Sequence, residues 1–179
     1  MEQSNRVVAV TGAAGYVGRR LLKSLEECGD QRKLVAYDTS PLTFPVHNVA
    51  AYRQDVAEPI EATLRRHRAT TLVHLAFNAR PGRNRREIAA IRDSNLGMLK
   101  SVLDSCVRAG VGHFIYVSSH TVYGPHPDNP IPLPDTAPLR PLPDFPYGYD
   151  KFLSEQVIQE FGEQHQGLKI TVLRACVVL

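Results

Sequence analysis

No apolar run in this sequence approaches the ~20 residues that a membrane-spanning helix requires. The first residues, MEQSNR, are polar and lead into only a short apolar stretch, so neither a membrane partner nor a secretory signal is expected, and the expected location is cytoplasmic. Cysteine is scarce: Cys28, Cys106 and Cys176 are odd in number and far apart. That pattern argues against a disulfide framework and a thiolate metal centre, and fits buried thiols in a reducing compartment. The seven histidines show no metal-ligand spacing, so no metal is expected. Charge of one sign is not in excess. The formal net charge is +3 with both signs interspersed, which gives no electrostatic reason to expect nucleic acid as a partner. No internal repeat and no second domain is visible.

What is present suits one compact domain: 179 residues, 43% hydrophobic and 22% charged. Strand and helix patterns alternate along it. RVVAVTG is a β-branched run ending in a turn, and helical spacing follows from Gly15 to Cys28, with Gly29 as a stop signal. KLVAYD, AAYRQD and TTLVHLAF read as the second, third and fourth strands, with a short amphipathic helix, PIEATLRRHR, before the fourth. A long helix is expected from about Arg85 to Arg108, closed by Ala109-Gly110, and HFIYVSS is a fifth strand. Nine of the 13 prolines then fall between Pro125 and Pro146 and forbid regular structure there. Helix resumes from Tyr147 to about Gln164, and LKITVLRACVVL holds a sixth strand. Apolar strands alternating with helices predict an α/β fold, a doubly wound parallel sheet in three αβα layers, with strand order 3-2-1-4-5-6.

The first strand ends in TGAAGYVG, with Gly12, Gly15 and Gly18 spaced G-x-x-G-x-x-G. Without Cβ atoms a backbone can approach a pyrophosphate closely, and the N-terminus of the following helix offers free N–H groups. Alone the glycines need serve only a tight turn. Asp38 strengthens the dinucleotide reading, because it ends the second strand 20 residues after Gly18. A carboxylate there accepts from adenosine ribose hydroxyls and repels a 2′-phosphate, so NAD is preferred to NADP. Arg32 and Lys33 lie at the wrong end of that strand to hold such a phosphate.

PYGYDKF, residues 146–152, places two tyrosines beside a lysine. On a helix, positions i and i+4 share a face, and Tyr147 and Lys151 meet that condition while Tyr149 does not. A nearby ammonium favours a phenolate. Bringing a tyrosine from about 10 to near 7 takes about 4 kcal/mol, which a desolvated lysine and an oxidised nicotinamide together could supply. Otherwise such a pair is a surface contact worth a few tenths of a kcal/mol.

Taken with these features, QDV (54–56), VHLAF (73–77), Asn95, VSSHTVYG (117–124), PYGYDKFLSE (146–155) and VLRACVV (172–178) make the sequence resemble the extended short-chain dehydrogenase/reductases of the NAD-dependent epimerase/dehydratase family. The resemblance spans nearly the whole chain. It implies a Rossmann fold, NAD as cofactor, and a small-molecule substrate such as a nucleotide sugar. It makes Tyr147 the acid/base, Lys151 its partner, and Ser119 the hydroxyl bonded to the reacting oxygen. It also implies that Gly12, Gly15, Tyr16, Val17, Gly18, Asp38, Asp55, Val56, Leu75, Ala76 and Asn95, with Tyr147 and Lys151, line the cofactor site. A homodimer is compatible with this reading.

Four departures from the family pattern are present. Met98 stands where a glycine usually follows the asparagine. His120 and Thr121 stand where the family's dehydratases carry an acidic pair, which disfavours dehydration. Ala175-Cys176-Val177 replaces a common Pro-x-Asn. The chain is also shorter than family members, so residues 1–179 are expected to be the NAD-binding part, with the substrate-binding portion beyond Leu179. The four arginines of RPGRNRR (80–86) read as a solvated loop and helix start, or as a lure for a phosphorylated substrate. His74 reads as a packed strand residue and His120 as a substrate contact or a surface residue. Three functions follow: an oxidoreductase or epimerase, a non-catalytic cofactor-binding regulator of the same fold, or a reductase of a non-sugar carbonyl. Retention of the Tyr147/Lys151 pair favours an enzyme.

Overall fold

The computed structural model describes residues 6–28 and 33–176, so the expected stop at Gly29, Arg32 and the end of the sixth strand from Val177 lie outside the described residues. Six strands form one sheet: β1 (Val7–Thr11), β2 (Lys33–Asp38), β3 (Val49–Arg53), β4 (Thr71–His74), β5 (His113–Ser119) and β6 (Lys169–Ala175). The order is β3-β2-β1-β4-β5-β6, and every neighbouring pair is parallel. The helices are α1 (Tyr16–Glu27), α2 (Glu61–His67), α3 (Arg85–Ala109) and α4 (Pro146–Gln164).

Alternation along β1 and β2 sorts the core into two layers. Val7, Ala9, Val35 and Tyr37 pack with Leu64 of α2, Leu99 and Leu103 of α3, and Ile158 of α4. Val8, Val10, Leu34 and Ala36 pack with Leu22 of α1 and the partly buried loop residues Leu42, Phe44 and Val46. Both faces are therefore covered, as near-continuous apolar strands require. Of the three thiols only Cys106 is buried; Cys28 and Cys176 are exposed, contrary to the expectation for them.

Chemistry at the termini sets the boundaries. Asn84 caps α3 by accepting from Glu87 N–H at 3.0 Å, and Glu87 in turn accepts from Arg83 N–H at 2.9 Å. Gly110 closes the same helix at φ 76°. RPGRNRR is thus a loop and helix start, with all four arginines exposed. β4 stops three residues short of the expected Phe77. Leu75 N–H still bonds Thr11 O of β1 at 3.2 Å, and both it and Ala76 N–H reach the Thr11 hydroxyl, at 3.2 and 3.3 Å.

Close backbone approach explains two of the glycines in the first turn. A Cβ on Gly12, at φ +67°, would lie 2.6 Å from Ala76 N, and one on Gly18 would lie 2.4 Å from Gly12 O. Gly18→Ala is therefore expected to destabilise the fold by about 1–3 kcal/mol, because backbone cannot retreat as a side chain can. Gly97 of α3 is exposed with nothing within 4 Å of a Cβ, so Gly97→Ala should stabilise by roughly 0.5–1 kcal/mol. Urea unfolding of the two variants reads both signs; equal effects would contradict this account.

Candidate functional site

All strands point their carboxyl ends to one edge, and β1 and β4 meet there through Thr11. Its hydroxyl accepts from Leu75 and Ala76 N–H, so its single proton goes to His74 Nδ1 at 2.7 Å. His74 is 2% exposed and stacks on Tyr116 with centroids 6.0 Å apart. Burial, and then the Lys151 charge, push it down from 6.5 to about 3. It is a neutral packed residue whose proton sits on Nε2.

A groove of about 480 Å³ runs along this edge, lined by Gly12, Gly15, Asp38, Asp55, Val56, Leu75, Ala76 and Asn95. It joins a second, of about 560 Å³, lined by Tyr16, Val17, Gly18, Ser119, Tyr147 and Lys151. Gly12, Gly15, Leu75 and Phe77 border both. The structure thus gathers every residue expected to hold cofactor or act on substrate into two adjoining grooves. At their junction, α1 opens on Gly15 with no side-chain cap, leaving first-turn N–H groups free for an anion. Asp38 at one end accepts from Ala14 N–H at 2.9 Å and Ser40 N–H at 2.8 Å, and two oxygens keep lone pairs for further donors. Asp55 is exposed and accepts from Ala57 N–H at 2.9 Å. Anion cradle in the middle and carboxylate at one end fit an extended dinucleotide. Asn95 is different: it is 2% exposed, accepts from Asn78 N–H at 2.8 Å and donates to Asn78 O at 3.1 Å. It clamps the loop that follows β4.

At the other end stands α4, which begins on Pro146, where a missing N–H costs nothing. Gly148 lets the helix approach the short 3-10 helix His120–Tyr123: a Cβ would lie 3.1 Å from Thr121 Oγ1. Tyr147 and Lys151 then face the groove, while Tyr149 turns toward α3 and takes the Arg92 guanidinium over its ring at 5.0 Å. Arg92 also pairs with buried Asp150 at 2.6 Å. Lys151 is 5% exposed; its ammonium donates to Val117 O at 2.8 Å and to the Tyr116 hydroxyl at 3.3 Å. Burial pushes it from 10.5 down to about 7, against an upward pull from Glu155. The Tyr147 hydroxyl has no hydrogen-bond partner among the described residues. Ser119 Oγ accepts from Thr121 N–H at 3.3 Å and Thr121 Oγ1 at 3.0 Å. With both lone pairs engaged, its own proton is free to donate elsewhere.

Several residues at this edge carried no role in the sequence reading. Buried Glu155 accepts from Ser118 Oγ and takes Arg174 in a fork, Nη2 to Oε2 at 2.8 Å and Nε to Oε2 at 3.0 Å. Arg174 Nη1 also donates to Tyr123 Oη and Asp135 O, each at 2.7 Å, which ties the proline-rich segment to β6. Glu155 lay inside PYGYDKFLSE and Arg174 inside VLRACVV, so the quoted motifs held both residues without revealing their pairing. Phe77 had no signal beyond its place at the end of VHLAF. His120 is exposed at the groove, 3.3 Å from Ala175 O through Nδ1. Among the described residues no group of three or more His, Cys, Asp or Glu side chains is placed to hold a metal ion. No described helix is long and apolar enough to cross a membrane.

A model of the NAD dependent epimerase/dehydratase family matches residues 8–179. A UDP-glucose 4-epimerase of Azospirillum brasilense is 29% identical over 176 residues, 93% of this chain and 47% of the relative. One from Erwinia amylovora is 27% identical, covering 93% of this chain and 52% of the relative. The chain thus spans about half the length of the curated relatives it matches. Among solved structures, the UDP-glucose 4-epimerase of Thermotoga maritima with UDP-glucose superposes with TM-score 0.78 at 28% identity, over 94% of this chain and 54% of that one. The Thermus thermophilus enzyme in complex with NAD gives TM-score 0.79 at 26% identity, over 94% and 54%.

The His74 geometry predicts a neutral imidazole, protonated at Nε2, across pH 5 to 8. A folded pKa near 3 against 6.5 unfolded means that the unfolded chain binds the extra proton. This contribution to stability is complete above pH 6.5 and is lost as pH falls toward 3, by up to ~1.4 kcal/mol per unit. Imidazole ¹⁵N shifts read the state directly, and an imidazolium at pH 5 would contradict the burial argument.

Proposed function

The chain belongs to the NAD-dependent epimerase/dehydratase family, and from that premise we propose that it binds NAD and oxidises a hydroxyl-bearing carbon of a nucleotide sugar, reversibly, as an epimerase does. The observation that carries this reading is the sharing of one groove by the glycine turn, Ser119, Tyr147 and Lys151. The names of the relatives, UDP-glucose 4-epimerases, support the substrate class. This reading assigns residues 1–179 to NAD binding and chemistry, and most of the substrate pocket to sequence outside them.

NAD would be held by the turn from Gly12 to Gly18 at its pyrophosphate, by Asp38 at the adenosine ribose, and by Asp55, Val56, Leu75 and Ala76 along the groove. Bound there, it supplies the hydride acceptor and, for the return step, the hydride donor. Tyr147 takes the proton of the substrate hydroxyl and gives it back. Lys151, one helical turn on, lines the same groove beside Tyr147. Ser119, its lone pairs filled by Thr121, donates to the same substrate oxygen and fixes the carbon in place. No carboxylate is among the described residues lining this end of the groove, so no side chain acid is at hand to expel a hydroxyl. That favours epimerisation over dehydration.

In the intact protein with its substrate, Tyr147→Phe should lower turnover by at least ~10²-fold, the usual scale for a lost acid–base group. Tyr149→Phe leaves the Arg92 contact in place and should change the chemical step little. Equal losses in steady-state assays would overturn the assignment.

Asp38→Ala should weaken NAD binding and narrow the preference over NADP, since the carboxylate that repels a 2′-phosphate is gone. Isothermal titration with both cofactors checks it. A wild-type protein that prefers NADP severalfold would refute the role given to Asp38.

A further inference from the structure

Phe77 forms a wall shared by both grooves and by a third cavity behind Tyr147. Phe77 is half-buried, just past the end of β4. Its centroid lies 3.9 Å from Lys151 Nζ, and it meets Tyr147 in a T-shaped contact at 5.6 Å and 88°. An ammonium has three donors. Val117 O and the Tyr116 hydroxyl take two, and the Phe77 ring lies close beside the same nitrogen. The Tyr116 ring, 4.7 Å from Nζ, adds a second aromatic surface.

We propose that Phe77 is a positioning residue for the Tyr147–Lys151 pair: its aromatic face holds the ammonium while the same ring packs against Tyr147, which keeps the two together in a water-poor corner. This rests on the reading of those residues as the acid–base pair. Two effects of the ring oppose each other. Its quadrupole favours the charged lysine, and its bulk excludes the water that would favour it more. The remaining groups around Lys151 are fixed. His74 from β4 is neutral, and Tyr116 from β5 is a phenol that burial pushes up. On α4, Asp150 is paired with Arg92 of α3 and Glu155 with Arg174 of β6.

The test needs neither cofactor nor substrate. The sequence has five lysines, so ¹³C labelling at lysine Cε gives few signals, and Lys151→Arg identifies the one of interest. The full chain is titrated as wild type, Phe77→Tyr, Phe77→Leu and Phe77→Ala, each checked for a native amide spectrum. Phe77→Tyr keeps the face and should titrate Lys151 as wild type does. Phe77→Leu keeps apolar bulk without a π face and should lower the Lys151 pKa by about half a unit or more. Phe77→Ala admits water and should titrate above the leucine variant. A leucine variant that titrates as wild type, or alanine and leucine variants that coincide, would overturn the proposal. Normal turnover in Tyr147→Phe would refute the catalytic reading instead and leave these titrations as they are.

Discussion

Lys151 buries its ammonium where loss of water drives it toward neutrality, and much of this edge of the sheet is arranged around that fact. An ammonium left unpaired in an apolar interior costs several kcal/mol, so its position is dictated by what can offset the loss of water. Here the offset comes from Val117 O, the Tyr116 hydroxyl, two aromatic rings and the field of Glu155. These partners belong to β5, to the segment after β4 and to α4 itself. Satisfying the cation therefore fixes α4 against the sheet, and with it the position of Tyr147 one helical turn earlier.

Glu155 extends the same constraint outward. It lies one turn beyond Lys151, and Arg174 and Ser118 satisfy it from β6 and β5. Arg174 then reaches Tyr123 and Asp135, so a segment with eight prolines and no helix or strand of its own is held by charge-assisted bonds to the sheet. On the cofactor side the corresponding joint is the Thr11 hydroxyl, whose three hydrogen bonds lock the ends of β1 and β4. The two joints set the distance between the glycine turn and Tyr147, the separation that one bound molecule must bridge.

How much of this was legible follows from the range of each interaction. The parallel sheet with helices on both faces was readable because six apolar runs alternate with helical spacing, and such a pattern has few ways to bury both faces of a sheet. That Tyr147 and Lys151 share a helix face and Tyr149 does not was readable because i,i+4 geometry is local, and the structure turns the two tyrosine rings to different sides of α4. The length of β4 was not, since past its end Ala76 N–H turns to a hydroxyl 65 residues away. Nor was the 3-10 helix His120–Tyr123, whose Ser119 cap and Gly148 neighbour come from different segments. The Glu155–Arg174 fork and the Phe77 ring over Lys151 are likewise contacts across the fold, invisible to spacing. Asn95 lines the groove, but its bond to the Asn78 backbone is a matter of loop geometry that spacing does not reveal.

The central claim is that this groove removes and returns hydride at a carbinol carbon, with Tyr147 moving only the hydroxyl proton. A neutral serine, a tyrosine and a lysine suit that chemistry, while abstraction of a carbon-bound proton calls for a base aimed at carbon. The direct measurement is turnover of a nucleotide sugar by the intact protein with NAD in D₂O, followed by NMR or mass analysis of the inverted carbon. The account predicts a product that retains its original hydrogen with no solvent deuterium at that carbon. Deuterium incorporated there would contradict it.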